Sequence, residues 1–132
     1  DQLGLTDQFK FLGMVVGETK LSLFAHADVF ALPTQQENFG LVYPEAMLCE
    51  TPVITTKGTD IWRELESGGG AVIIDRDATA FADAILSVLS DDAKREEMGK
   101  SARRHMLHWL DTGQVVKSYE AMYEKAATVP AV

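Results

Sequence analysis

The fold is decided by residues 29–47, which read VFALPTQQENFGLVYPEAM. They open with Val29–Pro33, an apolar run of strand-forming residues that a proline ends. Proline lacks a backbone N–H and is tolerated only in the first turn of a helix, so Pro44 sets a helix start between Leu41 and Tyr43. The stretch therefore predicts a strand, a loop and a helix in that order.

Three further apolar runs lie outside this unit, at Phe9–Gly13, Pro52–Thr55 and Ala71–Ile74. Each is short and apolar on both faces, which is typical of a strand in a sheet that helices cover on both sides. Apolar runs that alternate with helical patterns are the signature of a parallel sheet. The sequence predicts an α/β domain with four parallel strands.

Helices are predicted wherever apolar residues recur three and four positions apart. Asp77 is a predicted N-cap, and either Ser90 or Asp91 is predicted to cap the following helix, which carries Met98 to Trp109. The other predicted helices cover residues 18–27, 42–50, 61–65, 78–89 and 114–126.

Composition excludes several classes of protein. The chain has 132 residues, 46% of them hydrophobic, and a net charge of −8, of which residues 1–66 carry −6. It is long enough to bury an ordinary core, and its acidity disfavours nucleic acid and anionic lipid as partners. With one cysteine, Cys49, it forms no internal disulfide, and no apolar run approaches the ~20 residues of a membrane span.

Four strands make a thin sheet for this class, which usually has five or six. Together with a first residue of Asp1, this predicts that the chain lacks its first βα units and is a piece of a longer protein. We expect one domain over residues 1–126 and a tail over 127–132.

Ligands of parallel α/β sheets sit outside the carboxyl ends of the strands, so the loop between Pro33 and Val42 is the first candidate site. Gly40 permits close approach of a ligand or of a neighbouring chain. The amides of residues 39–42 and the helix dipole suit an anion such as a phosphate. Glu37 and Glu45 flank them, and carboxylates accept hydrogen bonds from sugar hydroxyls. By spacing alone this pair would arise about once by chance.

A family resemblance rests on Ala27–Thr34, Glu37–Met47 and Thr51–Ile54. These residues resemble the donor-binding half of the group-1 (family four) retaining glycosyltransferases, and the likeness extends from Phe11 to Tyr123. It implies a three-layer, Rossmann-like sheet, which is the C-terminal half of a GT-B architecture, with extra C-terminal helices. It also implies a nucleotide-diphosphate-sugar donor and an acceptor held by a separate N-terminal domain.

The resemblance implies a role for each site residue. Glu37, the catalytic candidate, would hold hydroxyls of the transferred sugar, and Glu45 would hold the ribose of the nucleotide. The amides of residues 39–41 would face the sugar and pyrophosphate, while the family's basic phosphate clamp lies upstream of this chain. The implied donor-binding set is Glu37, Asn38, Phe39, Gly40, Leu41, Val42, Glu45 and Lys57.

The chain departs from the family pattern at three places. Asn38 and Glu50 stand where glycine is common, so Glu50 either accepts a conformational cost or ends its helix differently. The loop of residues 55–62 lacks the commoner double glycine, and its Lys57 and Trp62 indicate a subgroup of unknown donor.

Gly68–Gly70 precedes a strand and is interpreted as a flexible turn instead of a phosphate loop.

The resemblance implies a hexosyl-type glycosyltransferase within a longer protein that needs no metal or other cofactor. The single cysteine favours a reducing compartment, so we expect the protein in the cytoplasm. We expect this chain alone to be inactive, and any contact with the inner membrane face to occur through the N-terminal domain. The alternatives are a non-catalytic nucleotide-sugar-binding or regulatory module and a related GT-B enzyme such as a sugar-nucleotide epimerase. Trp109, Tyr119 and Tyr123 are expected to pack in the core or between domains.

Overall fold

The computed structural model describes residues 4–128. A short 3-10 turn at Thr6–Gln8 is followed by helices and strands that alternate through the first two thirds of the chain. The elements are α1 (Gly17–Ala25), β1 (Phe30–Leu32), α2 (Val42–Leu48), β2 (Val53–Thr56), α3 (Trp62–Ser67), β3 (Ala71–Ile74), α4 (Ala78–Leu89), α5 (Asp92–Trp109) and α6 (Thr112–Ala127).

The three strands form one parallel sheet in the order β1–β2–β3, which confirms the predicted α/β fold. Phe30 lies beside Val53, and Val53 beside Ala71. Because parallel strands are joined by crossovers, α2 and α3 return the chain to the same end of the sheet each time. The carboxyl ends therefore meet at one edge. The loops that follow the strands there are 33–41, 57–61 and 75–77.

Helices cover both faces of the sheet. The central strand β2 is buried along its whole length, and its side chains alternate between the faces. Val53 joins the main apolar cluster, which draws buried residues from α1, α2, α3 and α5. The side chain of Ile54 points to the other face, where α4 contacts β2 and β3 and buries Val88. The predicted three-layer arrangement is confirmed.

The predicted strand at Phe9–Gly13 is wrong. These residues are not in a strand, and the side chain of Phe11 is 95% exposed. An isolated extended segment is unstable unless another strand completes its hydrogen-bond ladder and a helix covers its apolar face. Neither neighbour is present among residues 4–128, so the pattern produces no strand here.

Three aspartates cap the last three helices. Asp77 accepts a hydrogen bond from Ala80 N at 2.8 Å, and Asp91 accepts one from Lys94 N at 2.9 Å. The predicted cap at Asp77 is confirmed. Of the two predicted alternatives for α5, Asp91 is the N-cap and Ser90 is not. Asp111 caps α6 in the same way, and this explains why α6 begins two residues before the predicted Gln114.

Of the two alternatives for Glu50, the structure shows the strained one, a left-handed conformation with φ of 63°. This costs a non-glycine residue roughly 1–2 kcal/mol. The close packing of α5 on α2 holds it there, because a Cβ on Gly99 would overlap the Glu50 carbonyl oxygen. Arg103 of α5 also donates a hydrogen bond to the Leu48 carbonyl.

Helix α6 lies at the periphery and buries none of its residues. Its apolar stripe is exposed, with Tyr119 at 57% and Tyr123 at 67%. Neither tyrosine is in the core, whereas Trp109 does pack against the main cluster. Within residues 4–128 no helix has the length and hydropathy that crossing a bilayer requires. Residues 129–132 of the predicted tail lie outside the described residues.

Candidate active site

The loop after β1 is held by the loop after β2. Glu37 N donates to the carbonyl of Gly58 at 2.8 Å, and Asp60 N donates to the carbonyl of Glu37 at 2.9 Å. This parallel bridge between Glu37 and Thr59 extends the pairing of the strands beyond their ends. Gly58 allows it, because a Cβ there would come within 2.7 Å of the Thr34 and Gln35 carbonyl oxygens. The backbone of Glu37 is therefore fixed at the sheet edge.

Gly40 occupies a position where no other residue fits. Its φ is 64°, and a Cβ would lie 2.5 Å from the Tyr43 ring and 3.0 Å from Glu37 Cγ. The atoms that approach Gly40 most closely thus belong to the chain's own side chains, which the prediction of a ligand or a neighbouring chain did not include. Tyr43 N donates to the Gly40 carbonyl at 2.9 Å, and this bond closes a tight turn directly before α2.

The amides of residues 39–42 have no acceptor in the described part of the chain. Helix α2 begins at Val42, inside the predicted range, and Leu41 supplies no side-chain cap. These N–H groups therefore remain available at the carboxyl edge, beside Glu37. A group of backbone donors of this kind attracts an oxygen of an anionic ligand.

Tyr43 supports the turn from below and is completely buried. Its hydroxyl accepts a hydrogen bond from Thr55 Oγ1 at 3.1 Å. Burial raises the pKa of the Tyr43 phenol, the Thr55 hydrogen bond lowers it by less, and the nearby charge of Glu37 raises it. The phenol consequently stays neutral at physiological pH, and its role in the structure is to support the Gly40 turn.

Glu45 is paired with Lys20 of α1. The two carboxylate oxygens lie 2.7 and 2.8 Å from Lys20 Nζ, and each side chain is about 30% exposed. Sequence reasoning missed Lys20, because 25 residues separate it from Glu45 and no local spacing connects them. The ion pair orients the carboxylate and brings a positive charge to the predicted ribose site.

Lys57 follows β2 and pairs with Asp75 after β3, at 2.9 Å. Both side chains are largely exposed, at 54% and 81%. An exposed pair of this kind holds a side chain weakly. The structure thus places the ammonium of Lys57 at the carboxyl edge but directs it to Asp75, and its binding role remains a prediction.

Phe39 contacts α5 as well as the site. Its ring stacks on Trp109, with the centroids 5.6 Å apart and the planes 11° from parallel. The two rings line an open cavity of about 560 Å³. The α5–α6 turn and the first half of α6 line the same cavity. Nothing in the local sequence connects Phe39 with Trp109, so their contact was not predicted.

The other titratable side chains do not gather into a metal site. In the described part of the chain, no group of three or more His, Cys, Asp or Glu residues has suitable geometry. Gly68 and Gly70, predicted as parts of a flexible turn, pack closely against His105 and Ala102 of α5. Cys49 packs against the main cluster, and His26 is exposed.

Comparison with known proteins identifies a family. Residues 1–105 match the family model of the glycosyl transferases group 1. The D-inositol 3-phosphate glycosyltransferase of Corynebacterium urealyticum is 33% identical over 126 residues, which cover 92% of this chain and 30% of that protein. Its counterpart in Geodermatophilus obscurus is 35% identical over 129 residues, which cover 95% and 28%. This chain thus spans about a third or less of these relatives.

Two solved structures share the fold. The sucrose-phosphate synthase of Thermosynechococcus elongatus superposes with a TM-score of 0.79 at 28% identity, over 92% of this chain and 31% of that one. The C-terminal domain of a glycosyl transferase group 1 family protein from Francisella tularensis gives a TM-score of 0.70 at 22% identity. That match covers 83% of this chain and 56% of the Francisella domain, and it bears on the fold alone.

Proposed function

Because the chain belongs to the group 1 glycosyl transferases, we propose that it is the donor-binding part of such an enzyme. It holds a nucleotide-diphosphate sugar of the hexosyl type, and the sugar passes with retention to an acceptor bound by a separate N-terminal domain. The part of each curated relative that this chain does not cover leaves ample length for that domain. We place the reaction in the cytoplasm, where an unpaired Cys49 is the ordinary state.

The observation that carries the proposal is the Gly40 turn. It presents amides without an acceptor among residues 4–128 at the edge where parallel sheets bind ligands, and in the sequence it lies between Glu37 and Glu45. A diphosphate accepts hydrogen bonds from amides, and sugar or ribose hydroxyls donate them to carboxylates. The two kinds of group therefore match the two chemical parts of a nucleotide sugar.

Glu37 and Glu45 have separate roles. Glu37 accepts hydrogen bonds from the transferred sugar and stabilises positive character at its anomeric carbon, and we assign it no nucleophilic role. Glu45 accepts hydrogen bonds from the ribose, oriented by Lys20. The amides of residues 39–42 stabilise the charge on the departing diphosphate, which leaves from the face that the acceptor then attacks.

The charge of the chain explains why it needs a partner domain. Residues 1–66 carry a net charge of −6, and a diphosphate is itself an anion. Lys20 is already paired with Glu45, and Lys57 with Asp75. We therefore propose that the chain alone binds donors weakly and does not transfer sugar, and that further basic groups come from the longer protein. No metal is assigned a role.

The test is a titration of the chain with UDP, GDP and ADP sugars, followed by NMR at the amides of residues 39–42. We expect these amides to shift with one of the three nucleotides. If they remain unmoved at millimolar ligand while other amides shift, the proposed anion site is wrong. A donor-hydrolysis assay of the full-length protein, with product stereochemistry, separates a retaining transferase from a binding module or an epimerase.

A further inference from the structure

Trp109 makes two ring contacts, one with the site loop and one within α5. Phe39 stacks on Trp109, and Trp109 also stacks on His105, with centroids 6.4 Å apart and planes 8° from parallel. Trp109 packs against the main cluster, whereas Phe39 is 36% exposed. The indole thus lies between the core and the loop.

His105 is itself anchored to α3 and to the residue after it. His105 Nε2 lies 2.7 Å from the Glu64 carbonyl, so this nitrogen donates the hydrogen bond. The imidazole also fits against Gly68, where a Cβ would overlap it. Because α3 and α5 both pack in the core, His105 gives Trp109 a fixed surface to stack on.

The loop is therefore attached on two sides. On one side the backbone of Glu37 pairs with Gly58 and Asp60. On the other side the ring of Phe39 rests on Trp109. The Gly40 turn follows Phe39 directly, and its amides have no acceptor of their own among residues 4–128. The Tyr43 ring packs against Gly40 itself, and the stack on Trp109 is the contact that joins the preceding residue, Phe39, to α5.

We propose that Trp109 is a positioning residue for the donor-binding turn: by holding Phe39, it orders the amides of Gly40 and Leu41 before the donor arrives. A preordered turn loses less conformational entropy when it binds a diphosphate. The identity of the ligand in this inference rests on the proposed function. The ordering of the turn by Trp109 rests on the geometry alone.

The first test measures backbone order in the chain without ligand, by ¹⁵N relaxation of Gly40 and Leu41. In Trp109→Leu we expect their order parameters to fall from about 0.85 to below about 0.6, while Glu37 stays rigid through its bridge. Trp109→Phe should preserve most of the order. Tyr119→Leu, which removes a ring from the same cavity but not from the stack, should preserve all of it.

Phe39→Leu repeats the test from the other side of the stack, because a half-exposed loop residue is removed with little risk to folding. Mobile Gly40 and Leu41 amides in this variant support the proposal. Amides as rigid as in the unsubstituted chain, in either Phe39→Leu or a folded Trp109→Leu, overturn it.

The second test compares ligands that differ only in the diphosphate. For Trp109→Leu we expect the Kd of the preferred nucleoside diphosphate to rise about twofold to tenfold, the range of an aromatic contact, and that of the bare nucleoside to stay unchanged. Equal weakening of both ligands indicates a merely structural role and overturns the proposal. If the unsubstituted chain binds no nucleotide at all, the proposed function fails, and the relaxation test still decides how the turn is held.

Discussion

The loops after β1 and after β3 lie at the same edge of the sheet but are held in different ways. Residues 33–41 depend on partners that are distant in the sequence, at Thr59 and Trp109. Residues 75–77 depend mainly on local contacts: Asp77 N donates to the Asp75 carbonyl at 2.7 Å, and Asp77 caps α4. Their distant partner is Lys57, in an exposed ion pair with Asp75. Both loops lie at the carboxyl edge, and preorganisation by tertiary contacts distinguishes the loop that we propose as the site from the other one.

The largest expected effect is that of Gly40→Ala. The left-handed backbone and the overlap with the Tyr43 ring together should lower the free energy of unfolding by roughly 2–4 kcal/mol and abolish donor binding. Gly69→Ala is the matched control, because Gly69 has a φ of 70° but no atom within 4 Å of its Cβ position. It should cost about 1–2 kcal/mol and leave binding unchanged. Urea unfolding and titration measure both, and equal costs would contradict the packing at Gly40.

The next largest effect distinguishes the role of Glu37, in the loop after β1, from that of Glu45, in α2. Glu45→Gln should weaken binding of the bare nucleoside diphosphate about tenfold, as expected for a lost hydrogen bond to a charged group. Glu37→Gln should act only when the ligand carries the sugar. Because Glu45→Gln leaves Lys20 without its partner, the double variant with Lys20→Met serves as a control. Calorimetric titration with both ligands gives the comparison, and indistinguishable losses would refute the assigned roles.

Asp77→Ala probes the locally held loop. It removes the cap of α4 and should lower the free energy of unfolding by about 1 kcal/mol without changing donor affinity. Asp111→Ala removes the equivalent cap from α6, which buries no residue, and should cost less. A change in donor affinity in Asp77→Ala would mean that the loop after β3 belongs to the site.

The smallest effect concerns the Lys57–Asp75 pair, which joins the loop after β2 to the loop after β3. Lys57→Met and Asp75→Asn should each change the free energy of unfolding by less than about 1 kcal/mol, since the pair is exposed. If Lys57 meets the diphosphate, then Lys57→Met weakens binding severalfold at low salt, and Asp75→Asn strengthens it by freeing the ammonium. An unchanged affinity in both variants removes Lys57 from the site.

The elements that the sequence predicted correctly are those with local causes. β1, β2 and β3 coincide with apolar runs. Asp77 and Asp91 cap their helices by accepting a hydrogen bond from the amide three residues later. Pro44 placed the start of α2 for an equally local reason. Phe9–Gly13 has the same apolar pattern without the neighbour that a strand requires, which is why the pattern misled there.

The unpredicted parts of the site are contacts between distant segments. Lys20 meets Glu45, Phe39 meets Trp109, and Glu37 bridges to Thr59, each between different elements of the fold. Periodicity and capping rules describe short windows, so they give the loop and its glutamates but not the side chains that hold them. Sequence reasoning found the residues proposed to meet the ligand and missed those that orient them.

Helix α5 makes contacts at both edges of the sheet, so its register determines which residues meet at each edge. In its middle Gly99 lies against the Glu50 carbonyl and Ala102 against Gly70, both at the amino-terminal edge of the sheet. At its end Trp109 reaches Phe39 at the opposite edge. The glycine contacts leave no room for even a methyl group, so the register of the helix is fixed. One residue inserted between Ala102 and Trp109 would turn the indole by about 100° and carry it away from the loop, while the core contacts of Gly99 and Ala102 remained in place.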